Sequence, residues 1–291
     1  MHDLPVIATT AAAYRLVGGE LATIFRLSWA TLFIVALLQY FLARTVLGQM
    51  AAALGRGDIL AAAAIGRDPL WLALKFGADA VGTAVVAVAI HELVLFDDRK
   101  PGQYVHLAFG QRQALFALLG VMLACIIVPF ATIVISPFGE PTTGLAPFFA
   151  TLALVIAVYV SIRLWPVLPV IVVQERIDVA GAWRLTRGKF PSLLALAVLG
   201  SIPIGLVALA VDSALPPFDS LMDAITGPRT RMPTLTDAAK AVRRAQKWLP
   251  LRTLFDFATA IVYTAIAVAL VSYAYKALIG RPLDAPLRRR D

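Results

Sequence analysis

Apolar residues in this chain fall in long unbroken runs, with polar residues gathered between them. Six runs are predicted to be helical spans, at 28–48, 70–95, 113–136, 147–172, 192–214 and 252–277. Each is long enough at about 1.5 Å per residue to cross a hydrocarbon core of about 30 Å. The intervals between them are amphipathic. Residues 1–27 read as an interfacial segment, and TLTDAAKAVRRAQKWL within 216–250 places Leu235, Ala238, Ala239, Val242, Ala245 and Leu249 at helical spacing, with basic residues on the other face and Thr236 as its cap. That segment is expected to lie flat on a membrane surface as part of an amphipathic outer loop. The predicted fold is all-α, a polytopic transmembrane bundle in a single membrane domain, 1–291, with amphipathic interfacial helices.

Composition agrees with this pattern: 60% of the 291 residues are hydrophobic, 15% are charged, and the mean hydropathy is +0.81. A soluble domain carries roughly 25% charged residues. The single cysteine, Cys125, lies within an apolar run and leaves no internal disulfide to form. The N-terminal segment, with Asp3, Pro5, Arg15, Glu20 and Arg26 ahead of the first run, does not read as a cleavable signal peptide. The net charge of +8 resides beside spans rather than in a nucleic-acid motif. Anionic lipid head groups are therefore the expected partners and nucleic acid is not.

Basic residues also orient the spans. With the N-terminus inside, inner segments hold Arg15, Arg26, Arg99, Lys100, Arg112, Arg176, Arg184, Arg187, Lys189, Lys276, Arg281 and Arg288 to Arg290; short outer segments hold Arg44, Arg56 and Arg67. This is expected to place both termini in the cytoplasm. The seven basic residues from Arg229 to Arg252 run against that assignment. A degenerate repeat supports it: Ala13-Tyr14-Arg15-Leu16-Val17-Gly18-Gly19, Ala182-Trp183-Arg184-Leu185-Thr186-Arg187-Gly188 and His106-Leu107-Ala108-Phe109-Gly110 each precede an odd-numbered span, all reading Arg or His, then Leu, two residues, Gly. The repeat predicts three units of surface helix plus two spans, with the surface helices on one side. A smaller duplication, AAALGRGDIL followed by AAAAIGRDPL, predicts short helical turns closed by glycine.

Charges inside the spans are the candidate chemistry. In the second span Ala73, Gly77, Ala80, Ala84 and Ala87 form a stripe of small residues, while Lys75 and Asp79 stand four apart on the other side. Each buried charge costs about 2.5–3.5 kcal/mol near mid-membrane, so this helix is expected inside the bundle. By depth, Lys75, Asp79, Asp212 and Asp256 form an outer polar cluster in which Lys75 pairs with Asp79, Asp256 or both. His91, Glu92, Arg163 and Glu175 form an inner cluster, with Arg163 satisfying carbonyls freed by Pro166. Two readings stay open: a polar path with Asp79 or Asp256 as its ion site, or buried pairs that set helix register.

No metal-ligand spacing, nucleotide loop or catalytic motif occurs, and no cofactor is implied. Arg163, Pro166, Pro169, Glu175, Ala182, Trp183, Leu185, Thr186, Gly188 and Phe190 reproduce a pattern R..P..P…E……AW.LT.G.F. In this the chain resembles the membrane-domain family named after glycerophosphoryl diester phosphodiesterase and its bacterial inner-membrane relatives. The resemblance implies a helical integral membrane protein. Some relatives are fused to a phosphodiesterase barrel, whose catalytic motifs are missing here, so it does not imply hydrolysis. Trp183, Arg184, Thr186 and Gly188 are expected to position an interfacial helix. The leading expectation is a non-catalytic scaffold or accessory subunit of a membrane protein partner in envelope or lipid homeostasis. A carrier or channel for a small polar or lipid-like solute comes second, and a membrane-embedded lipid-modifying enzyme third.

Overall fold

The computed structural model describes residues 4–66, 68–100, 104–122, 146–214 and 234–288. Its helices are α1 (Val6–Gly19), α2 (Leu21–Gly55), α3 (Ile59–Gly66), α4 (Pro69–Phe96), α5 (111–122), α6 (Ala146–Leu164), α7 (Val167–Gln174), α8 (Val179–Leu185), α9 (Phe190–Ala214) and α10 (Leu235–Leu278). No strand occurs among the described residues. Five segments are long and apolar enough to cross a membrane: α2, the 73–96 part of α4, α6 with α7, α9 and α10. The candidate span at 113–136 is described only through α5, and Cys125 lies outside the described residues.

Helices α2, α4 and α10 pack side by side at the centre. All residues from Ala84 to Leu95 are buried, so the C-terminal half of α4 is the axis of the bundle. Phe33, Ile34, Leu37 and Phe41 of α2, and Leu206, Val207 and Leu209 of α9, turn outward with large exposed area. Such apolar exposure suits lipid and not water. The stripe expected on α4 is only partly used for close packing. A Cβ on Gly77 would meet nothing within 4 Å, whereas one on Gly82 would stand 2.5 Å from Val35 Cγ2 of α2. Backbones therefore approach most closely one and a half turns further along the helix than the Gly77 position.

Several expectations change. The segment from Leu235 is not a separate helix lying flat on a surface but the start of α10, 44 residues long, continuous through Pro250. Proline inside a helix removes one hydrogen bond, a loss that neighbouring helices offset in membrane bundles. The cap is Thr234, whose hydroxyl accepts from Asp237 N at 3.1 Å, and not Thr236. At about 1.5 Å per residue α10 extends about 66 Å and α2, with 35 residues, about 52 Å, both well beyond a ~30 Å core. Their projecting parts meet through Val46, Leu47, Met50, Ala238, Val242 and Leu249, and Ala62 of α3 closes the cluster. Gly55 and Gly66 end α2 and α3, as the small duplication predicts.

At the opposite end of the bundle, α1 does not lie alone at an interface. Thr9, Ala13 and Val17 are buried, and Tyr14 donates to Gly200 O of α9 at 2.7 Å. The third copy of the repeat, 106–110, is not helical; Thr31 and Trp29 of α2 hold this segment by donating to His106 O and Tyr104 O, each at 2.9 Å. The predicted span 147–172 is broken. Pro166 has no N–H for the helical ladder, and α6 stops at Leu164 before α7 begins at Val167.

Candidate functional site

The charged side chains of the predicted outer cluster meet in a cavity of about 300 Å³ between α2, α4 and α10. Lys75 and Asp79 enter it from one face of α4, Gln39 from α2, and Arg252, Asp256 and Thr264 from α10. The side chain of Asp212 lies outside the described residues. The expected pairings of Lys75 are not formed. Gln39 donates to Asp79 Oδ1 instead, and Asp256 is held by Arg252 one turn before it, at 2.9 Å. Lys75 has no hydrogen-bond or ion-pair partner among the described residues, and its ammonium acts on Asp79 only through the field across one helical turn.

Two further cavities adjoin this one. A cavity of about 290 Å³ shares Thr83 and Thr264 with it and reaches His91 and Ser201. An apolar groove of about 680 Å³ runs between α9 and α10 along Pro203, Ile204, Val207, Phe255 and Val262. It shares Asp256 and Ala260 with the charged cavity. A polar chamber and a groove lined by apolar side chains thus flank one stretch of α10.

The four residues of the predicted inner cluster separate into three places. Glu92 accepts from Lys100 Nζ and Arg112 Nη1, each at 2.6 Å, and Arg112 also reaches Glu175 at 2.7 Å. Glu92 and Glu175 are therefore joined through a cation that the sequence reading counted only for topology. Burial, the largest influence on Arg112, works against its charge, but the hydrogen bonds to Glu175 and Glu92 outweigh it and raise the pKa above the ordinary arginine range. His91 is fully buried elsewhere. Ser272 spends its one O–H on Val268 O at 2.8 Å, so His91 Nδ1 donates to Ser272 Oγ at 2.6 Å, and Nε2 keeps an acceptor lone pair without a partner among the described residues.

Arg163 forms the third place. Its guanidinium donates to Thr186 Oγ1 at 2.8 Å, Trp183 O at 2.6 Å and Tyr159 Oη at 2.9 Å, and it stacks 4.2 Å from the Trp183 ring centroid. The carbonyls near Pro166 are not its partners. The turn at Trp165 and Pro166 between α6 and α7, and the Asp178-capped start of α8, bring the AW.LT motif back over it. Thr186 is buried, Gly188 ends the motif at φ 74, and Arg184 faces outward. Trp183 thus covers a buried cation rather than serving only as an interface anchor.

Among the described residues no three His, Cys, Asp or Glu side chains gather as metal ligands. The chain matches no family model, no curated protein and no solved structure.

Proposed function

We propose that the protein is a six-span carrier in a bacterial cytoplasmic membrane, with both termini cytoplasmic, that takes a small polar or lipid-like solute into the cavity of Lys75, Asp79 and Asp256. One observation carries this reading: Lys75 faces a cavity within the spans and has no bonding partner among the described residues. A charge retained only to fix helix register would be expected in a closed pair, because an isolated one costs about 2.5–3.5 kcal/mol. The charged groups of the α1 end, closed by Glu92, Lys100, Arg112 and Glu175, support a seal on the cytoplasmic side of that cavity. The meeting of Arg163, Trp183 and Thr186 supports kinship with the membrane-domain family named above, since the residues of the shared pattern are the ones in contact.

Reconstitution into liposomes tests the carrier. Uptake of labelled zwitterionic solutes and transbilayer movement of labelled lipids are expected to require the protein and to fall about tenfold or more in Asp79→Asn, with assembly unchanged on size exclusion. Wild-type protein that moves none of them sinks the reading.

A scaffold is the second reading, favoured by the projecting pair α2 and α10. Lys240, Arg243, Arg244 and Lys247 form an exposed basic row there, suited to an acidic partner. A stoichiometric protein co-purifying in native nanodiscs, released by reversing these four charges, would establish it.

A further inference from the structure

The unused bonding capacity of the charged cavity defines its ligand. Lys75 offers three N–H donors and Asp79 one carboxylate oxygen, none of them engaged among the described residues, and the two groups do not pair with each other. They project from positions one helical turn apart, about 5–6 Å between Cβ atoms. The other two charges, Arg252 and Asp256, are paired with each other. Among the described residues the cavity therefore holds two cations and two carboxylates, and a ligand of single charge would bring an uncompensated charge into a medium of low dielectric. A ligand carrying both an anion and an ammonium with N–H donors satisfies Lys75 and Asp79 together and leaves the sum at zero.

Asp256 and Ala260 line both this cavity and the groove between α9 and α10, so the two spaces flank the same stretch of α10. That groove is apolar, and Val207, Phe255 and Val262 leave it open to hydrocarbon. We propose that the protein binds an aminophospholipid of the phosphatidylethanolamine type, with its phosphate on Lys75, its primary ammonium on Asp79 and an acyl chain in the α9–α10 groove. This deepens the carrier reading by naming its ligand, and it rests on the same cavity; binding is tested apart from movement.

The full chain is assembled in nanodiscs of phosphatidylcholine containing phosphatidylethanolamine and phosphatidylglycerol in equal amounts, then released for native mass spectrometry of retained lipid. Phosphatidylethanolamine is expected to be retained roughly tenfold over either competitor, the size of a charge-assisted hydrogen bond. Phosphatidylcholine has no N–H for Asp79, and phosphatidylglycerol leaves that carboxylate without a cation. Lys75→Gln and Asp79→Asn should each erase the preference, Lys75→Arg should keep it, and Val262→Trp, which fills the groove, should lower retention of the lipid. Water-soluble glycerophosphoethanolamine should compete poorly because it lacks the chain.

Equal retention of the three lipids, preference for phosphatidylglycerol, or competition by glycerophosphoethanolamine as strong as by the lipid overturns the proposal. Should Lys75→Gln fail to assemble, the wild-type preference and Lys75→Arg decide it alone. Retention without transbilayer movement leaves this proposal standing and removes the carrier.

Discussion

Helix α4 has two halves that solve the problem of charge in a membrane in opposite ways. From Ala84 to Leu95 every residue is buried, and the one carboxylate beyond the midpoint, Glu92, is closed by Lys100 and Arg112. None of the residues from Ala73 to Val81 is buried, Gly82 is the first that is, and Lys75 and Asp79 face open space. One helix thus carries a half whose carboxylate is paired and a half in which Lys75 and Asp79 form no ion pair among the described residues. The contrast teaches that depth alone does not decide how a charge is satisfied; the helices packed against it do.

The sharpest break of this comparison is at Glu92. Glu92→Gln leaves Lys100 and Arg112 against a neutral amide in a nearly closed site, and should cost about 3–5 kcal/mol of stability, read by thermal unfolding in detergent. Lys75→Gln in the other half should change the same measurement by less than about 1 kcal/mol, since it breaks no pair. Equal losses would remove the distinction between the halves.

Packing gives a smaller effect along the same helix. Gly82→Ala places a methyl against Val35 and should cost about 1–3 kcal/mol, while Gly77→Ala has room and is expected to be neutral or slightly stabilising. Unfolding of the two single variants under one condition checks the order.

The smallest effect lies at the loop beside the paired half. Burial, and then the Lys100 ammonium, lower the pKa of His106 against the opposing pull of Glu92 and Asp98. In the folded protein this imidazole stays neutral at pH values where the unfolded chain, with an ordinary value near about 6.5, already takes up a proton. The unfolded state then binds more protons, so stability should fall slightly as pH drops below about 6.5. Hydrogen exchange at 104–110 should quicken with acid, and His106→Gln should flatten that dependence. Acceleration unchanged in this variant would assign it to another group.

Much of the architecture was legible because hydrocarbon imposes a simple rule on composition: the positions of α2, α4, α9 and the second half of α10 follow from runs of apolar residues. The meeting of Lys75, Asp79 and Asp256 was legible from helical spacing and depth. Their partners were not. Gln39 gives no signal in an apolar run, because which face of α2 meets α4 is decided by packing at Val35 and Gly82. Arg252 and Asp256 stand at the spacing of a helical pair, but Arg252, the first residue of the predicted sixth span, counts there only among the basic residues that bear on topology. Arg112 was read as a topology charge because its two acceptors, Glu92 and Glu175, lie far away in sequence. The contact of Arg163 with Thr186 depends on the turn after Pro166, whose direction no spacing encodes.

The continuity of α10 has a mechanical consequence. Leu249, Arg252 and Asp256 form part of the charged chamber, and the same rigid rod runs on to Leu235, about 22 Å beyond Pro250 at 1.5 Å per residue. Pro250 interrupts its hydrogen-bond ladder just where the chamber begins. A tilt of about 10° at that point, less than many ligand-driven adjustments, swings the tip through about 4 Å, as a lever multiplies movement at its fulcrum. Any change of angle at Pro250 is therefore magnified at the Leu235 end of the helix.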